Sequence, residues 1–126
     1  MRENREHILT SALREVYDYL FDVGEADNSF DVSENKPAGK NRKKAVKYQY
    51  AGKKANPFSF IVNSGERKDY HLFYLRRPRR GDIEIVRGSF DDDKIVINHK
   101  GEITIQVHDL SDAKKVWGIV KRVQLQ

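Results

Sequence analysis

The 126-residue chain is predicted to fold as an α+β domain: a mainly antiparallel sheet of five or six strands, with an N-terminal and a C-terminal helix packed on it. Three observations predict this. Apolar residues recur at helical spacing near both ends of the chain. Between about 45 and 108 they alternate with polar residues at the period of a strand. No helical pattern separates the strands, so hairpin connections and antiparallel pairing are expected.

The elements follow in order within a single domain, 1–126. The first helix is expected over about 4–23, where Leu9, Leu13, Val16 and Leu20 recur at spacings of four, three and four. Ile8, Ala12 and Tyr17 widen that stripe. Gly24 follows Val23 and reads as the C′ residue. The stripe is expected to pack on the sheet, and a homodimer interface is its alternative use. Residues 24–42 are too polar to bury much surface and read as a mobile loop, with Phe30 and Val32 as a short anchor. The first half of that loop is acidic, the second basic. Strands are expected at 46–50, 58–62, 69–76, 82–87, 94–98 and 102–107. A second helix is expected over about 111–123, capped by Asp109 or Ser111. Its apolar face is Ala113, Val116, Trp117, Val120 and Val123. Gly118 inside it costs about 1 kcal/mol relative to Ala, and close packing on the sheet is a reason for it.

The last hairpin can be read to the residue. A two-residue turn at Lys100-Gly101 would set Ile97 opposite Thr104 and Ile95 opposite Gln106. A three-residue loop, His99-Lys100-Gly101, pairs Ile97 with Ile103 and Ile95 with Ile105. Only the second keeps isoleucine on one face, because a slip of one residue moves every side chain across the sheet. The longer loop is predicted, with Gly101 at positive φ.

Composition excludes several classes. There is no cysteine, hence no disulfide, no thiolate zinc site and no cysteine nucleophile. No apolar run approaches the roughly 18 residues of a membrane span. The charged first seven residues do not resemble a signal peptide. A cytoplasmic location and no membrane partner are expected. Glycine-rich phosphate loops are missing, so no cofactor is expected.

The net charge is +5, and its distribution is uneven. From Lys36 to Lys54 the chain carries eight basic residues and no acidic one. A second cluster, Arg76-Arg77-Pro78-Arg79-Arg80, falls between the third and fourth strands of that segment and would form the tip of a β-ribbon if those strands pair. Arginine offers a planar fork to phosphates and base edges, and lysine a point charge. The first reading is therefore a non-enzymatic nucleic-acid-binding domain, duplex DNA ahead of RNA. Its grip would be Lys40, Arg42, Lys43, Lys44, Lys47, Lys53 and Lys54 on the arm, with Arg76, Arg77, Arg79 and Arg80 at the tip. The alternative is a protein-interaction module or inhibitor, of phage or mobile-element type, acting on a nucleic-acid-handling protein.

A small metal-dependent nuclease is the least supported reading. Glu66-Arg67-Lys68 has the letters of a Glu-x-Lys motif, but no acid lies between Glu34 and Glu66 to complete it. Asp91-Asp92-Asp93 reads as a polar turn, without the spacing of a calcium loop. His7, His71, His99 and His108 are scattered and read as structural or surface residues. No catalytic or metal-ligating residue is assigned.

Overall fold

The computed structural model describes residues 2–35 and 44–124. Six antiparallel strands form one sheet: β1 (Phe30–Glu34), β2 (Ala45–Tyr50), β3 (Phe58–Ile61), β4 (His71–Leu75), β5 (Ile95–Ile97) and β6 (Ile103–Val107). Their order is β1-β2-β3-β4-β6-β5. Two long helices, α1 (Ser11–Ala26) and α3 (Leu110–Gln124), cover one face, and a short helix α2 (Asp82–Arg87) follows β4. The predicted fold class is what the chain adopts.

Period-two alternation decides which side chains meet the helices. Phe30, Val46, Tyr48, Phe58, Phe60, Phe73, Leu75, Ile103 and Ile105 lie in register on the helix-facing side and are buried. Tyr17 of α1 meets Phe60 edge-on, and Trp117 of α3 lies against Phe30 and Tyr48. The Tyr48 hydroxyl donates to the Leu20 carbonyl at 2.7 Å, so the ring bridges sheet and helix without an unsatisfied polar group. His71 is fully buried on the same face. Its Nδ1 accepts from the Asn63 amide at 3.0 Å and its Nε2 lies 2.9 Å from the Leu13 carbonyl. That pairing requires the neutral ring with its proton on Nε2.

The last hairpin has the predicted register, Ile95 with Ile105 and Ile97 with Ile103, and Gly101 has φ +81°. Asp109 caps α3, its Oδ1 accepting from the Asp112 amide at 2.9 Å.

Several expectations are corrected. The first helix does not run from 4 to 23. Glu3–His7 is a separate 3-10 turn, the chain is extended at Ile8, and Thr10 caps α1 by accepting from the Leu13 amide at 3.4 Å. Leu9 is therefore exposed, while Ile8 still reaches the core. Gly24 does not stop α1 but lies inside it: a Cβ there would come within 2.4 Å of the Tyr48 ring. Phe30 and Val32 are the inward residues of a strand, not a loop anchor. The rest of the predicted loop, 36–42, lies outside the described residues. Residues 82–87 are helical, not a strand. A left-handed Gly81 (φ +93°) turns the chain, Asp82 and Glu84 sit favourably in the first turn, and Ile85, Val86 and Phe90 reach the core from one side. The sixth strand is β1 instead. Gly118 is exposed, and a Cβ added to it would meet nothing within 4 Å, so close packing does not explain it.

Candidate nucleic-acid interface

The face of the sheet away from the helices carries the odd-numbered residues of β2 and β3 and the even-numbered residues of β4 and β6. Lys47 stands opposite Ser59, Ser59 opposite Tyr74, and Tyr74 opposite Thr104. Ser59 and Thr104 are small and buried, so the larger neighbours form a second layer over them. Arg76 continues the β4 row, lying over the Tyr74 ring at 5.0 Å and donating from Nε to Ser59 Oγ at 3.0 Å. Its Nη1 pairs with Glu102 Oε2 at 3.0 Å. Burial works against ionisation of Glu102, but bonds from Asn98 and Arg76 outweigh it and hold the carboxyl below its ordinary value.

Lys47, Ser59, Arg76 and Glu102 wall a cleft of about 330 Å³ that also takes in Lys54, Asn56 and Arg77. It holds four cations, Lys47, Lys54, Arg76 and Arg77, against one carboxylate, Glu102, which Arg76 already engages. A neighbouring hollow of about 300 Å³ on the same face is edged by Lys44, Lys68, Leu72 and Tyr74. Lys44, Lys47, Lys54, Lys68 and Arg77 make no ion pair with a described residue. Some cations elsewhere are matched. Arg2 pairs with Asp18, Asp22 and Glu25, Arg5 with Asp18, Lys121 with Asp27, and Arg87 with Asp92. The cleft thus gathers Lys47, Lys54 and Arg77 without ion pairs, so an anion is attracted there without breaking a native pair; Arg14, Lys94, Lys100, Lys114 and Arg122 also make no ion pair with a described residue, but they are spread over other parts of the fold.

The eleven residues expected to grip nucleic acid divide accordingly. Lys47 and Lys54 from the arm meet Arg76 and Arg77 in one cleft, and Lys44 edges the adjoining hollow. Lys53 is exposed in the turn after β2, and Arg80 is exposed in the loop before α2. Arg79 is built into the fold: its amide donates to Asp82 Oδ2 at 2.7 Å, and its guanidinium donates to the Val123 carbonyl at the end of α3. Lys40, Arg42 and Lys43 lie outside the described residues. The arginine-tipped ribbon does not form, because the segment after the arginines is α2 and β4 pairs with β3 and β6.

Lys68 and Tyr74 join the surface without standing out in the sequence. Tyr74 shares its strand parity with Arg76, a signal that needs the register to become useful. Lys68 is conspicuous only as the last letter of the Glu-x-Lys triplet. His108 lies with Nδ1 3.4 Å from Asp69 and Nε2 3.3 Å from Gln106. Asp91–Asp93 are exposed, with Asp92 3.3 Å from Arg87. Among the described residues no group of three His, Asp or Glu side chains is placed to hold a metal ion, and no helix is long and apolar enough to cross a membrane.

No family, no curated protein and no solved structure matches the chain.

Proposed function

We propose that the open sheet face binds nucleic acid through its phosphate backbone, with Lys47, Lys54, Arg76 and Arg77 at the centre of contact. The observation that carries this reading is the convergence of two sequence-distant basic clusters on one cleft. A chain of phosphates suits such a surface, because each contact releases condensed counterions. Arg76 is pre-set by Ser59, Tyr74 and Glu102, so little side-chain entropy is lost when it engages a ligand. The expected duplex contact relied on a ribbon entering a groove. With α2 in its place, the supported contact is to the backbone, and no groove-reading element is assigned.

Two single charge reversals test this. Lys47→Glu changes the cleft, whereas Lys114→Glu makes the same change of net charge at an exposed position of α3 on the opposite side of the sheet. At about 50 mM salt, where phosphate contacts are strong, Lys47→Glu is expected to weaken oligonucleotide binding by about tenfold, some 1.4 kcal/mol. Lys114→Glu is expected to leave it near the wild-type value. Equal effects would reduce the cleft to a contributor to net charge and would contradict the proposal.

A further inference from the structure

A third cavity, of about 350 Å³, opens at the end of the sheet where Arg77 also borders the cationic cleft, but on the helix-facing side, between the sheet and α3. Its walls are apolar and aromatic: Tyr50 at the end of β2, Pro57 and Phe58 at the start of β3, Leu75 at the end of β4, and Pro78 beyond it. Tyr50 is half-buried and stacks on Phe30 with centroids 5.6 Å apart and planes 14° apart, which fixes its ring. Four polar side chains break this lining: Arg77, Arg79, Asp82 and Gln124. Arg77 is exposed and lines both this cavity and the cationic cleft. Asp82 is only 1% exposed; its Oδ2 accepts the Arg79 amide, but its Oδ1 has no hydrogen-bond partner. A buried acceptor left without a donor costs about 1–3 kcal/mol; Oδ1 itself has almost no exposed surface, so a ligand N–H that reaches it through a small shift of this wall recovers that cost.

The cavity is near the lower bound of about 300 Å³ for small-molecule sites, which suits one flat group and not a large ligand. The required group is planar, carries an N–H donor, and is joined to an anion that reaches the cleft across Arg77. We infer that the cavity takes one unpaired, amino-bearing nucleobase of a single strand, whose phosphate lies among Lys47, Lys54 and Arg77. This rests on the nucleic-acid reading above and narrows it. A base stacked and paired in a duplex cannot enter, so the strand must be single or locally opened. Aromatic contact adds sequence-tolerant affinity, and Asp82 adds preference for a base with an exocyclic amine.

The test uses anisotropy titrations of short oligodeoxycytidine, oligothymidine and a hairpin duplex, at about 50 mM salt, with the full chain. Wild type is expected to prefer oligodeoxycytidine. Ala55→Trp, which fills the cavity from its wall, is expected to weaken that binding about tenfold and to leave duplex binding unchanged. Asp82→Asn retains an acceptor for the Arg79 amide and is expected to abolish the preference for cytosine over thymine. If both variants keep the wild-type affinity and preference while Lys47→Glu weakens binding, the base pocket is overturned and the phosphate-binding reading stands. If wild type binds none of the three ligands, both fall. Free dCMP offers the same chemistry, and is expected not to displace the oligonucleotide at equal nucleotide concentration; displacement would overturn the assignment to a strand. Should Ala55→Trp not fold, photo-crosslinking of wild type with 5-bromodeoxycytidine replaces it. An adduct on Tyr50 is expected, and adducts confined to residues outside the cavity would overturn the inference.

Discussion

Gly24 and Gly118 both lie inside helices, and substitution should affect them in opposite directions. At Gly24 a Cβ would meet the Tyr48 ring at 2.4 Å and Val32 Cγ2 at 2.9 Å, so Gly24→Ala must push α1 away from β2. Overpacking of this kind costs about 1–3 kcal/mol. Gly118 faces open space, and Gly118→Ala should stabilise the fold by about 1 kcal/mol, because only the helix propensity changes. Urea denaturation of the two variants beside wild type measures both signs. His71 sets a pH dependence. Burial pushes its pKa down to about 4 from 6.5, against a smaller opposing effect of the Leu13 carbonyl. The unfolded chain therefore binds a proton that the native state refuses. The stability contributed by neutral His71 is whole above pH 6.5, falls as the pH drops from 6.5 towards 4, and levels below that. The full loss is roughly 3 kcal/mol. Denaturation midpoints across this range should show the fall, and His71→Gln should lack it.

Among the elements, what was legible in the sequence depended on whether a pattern had one physical solution. The β5–β6 hairpin had one, since only a three-residue loop keeps Ile95, Ile97, Ile103 and Ile105 on one face. Gly101 at φ +81° is the residue that permits this loop. Gly101→Ala should therefore cost about 1–2 kcal/mol in denaturant melts, with the strand register unchanged by amide exchange. Residues 82–87 had two solutions. Ile83 and Ile85 alternate as in a strand, but Ile85, Val86 and Phe90 reach the core together only from a helix entered through left-handed Gly81. That choice is tertiary and no local spacing reveals it. β1 was hidden for the opposite reason: Phe30 and Val32 alternate correctly, but the acidic surroundings read as loop. The candidate site was half legible. The basic residues themselves are conspicuous, yet the pairing of β2 with β3 and of β3 with β4 is what brings Lys47 and Lys54 to Arg76 and Arg77. The same pairing adds Tyr74, and the turn at α2 removes the expected ribbon.

At the scale of the whole molecule, the net charge of +5 matters less than where its neutralised part sits. The acids of α1 hold Arg2 and Arg5 in ion pairs beside that helix, while Lys47, Lys54 and Arg77 share one cleft with no described carboxylate engaging them. A surface so divided should bind polyanions in a strongly salt-dependent way. Each neutralised phosphate contributes a slope of about −0.7 for a single strand or −0.9 for a duplex in a plot of log affinity against log salt. The three unpaired cleft cations, Lys47, Lys54 and Arg77, thus correspond to a slope of about −2 to −3. The measurement that tests the central claim most directly is this salt titration, made with wild type and with the Lys47→Glu, Arg77→Glu double variant. The expected result is a steep wild-type slope that the double variant makes shallower by about 1–2, with weaker binding at every salt concentration. Absence of wild-type binding at about 50 mM salt, or a double variant with the wild-type slope and affinity, would contradict it.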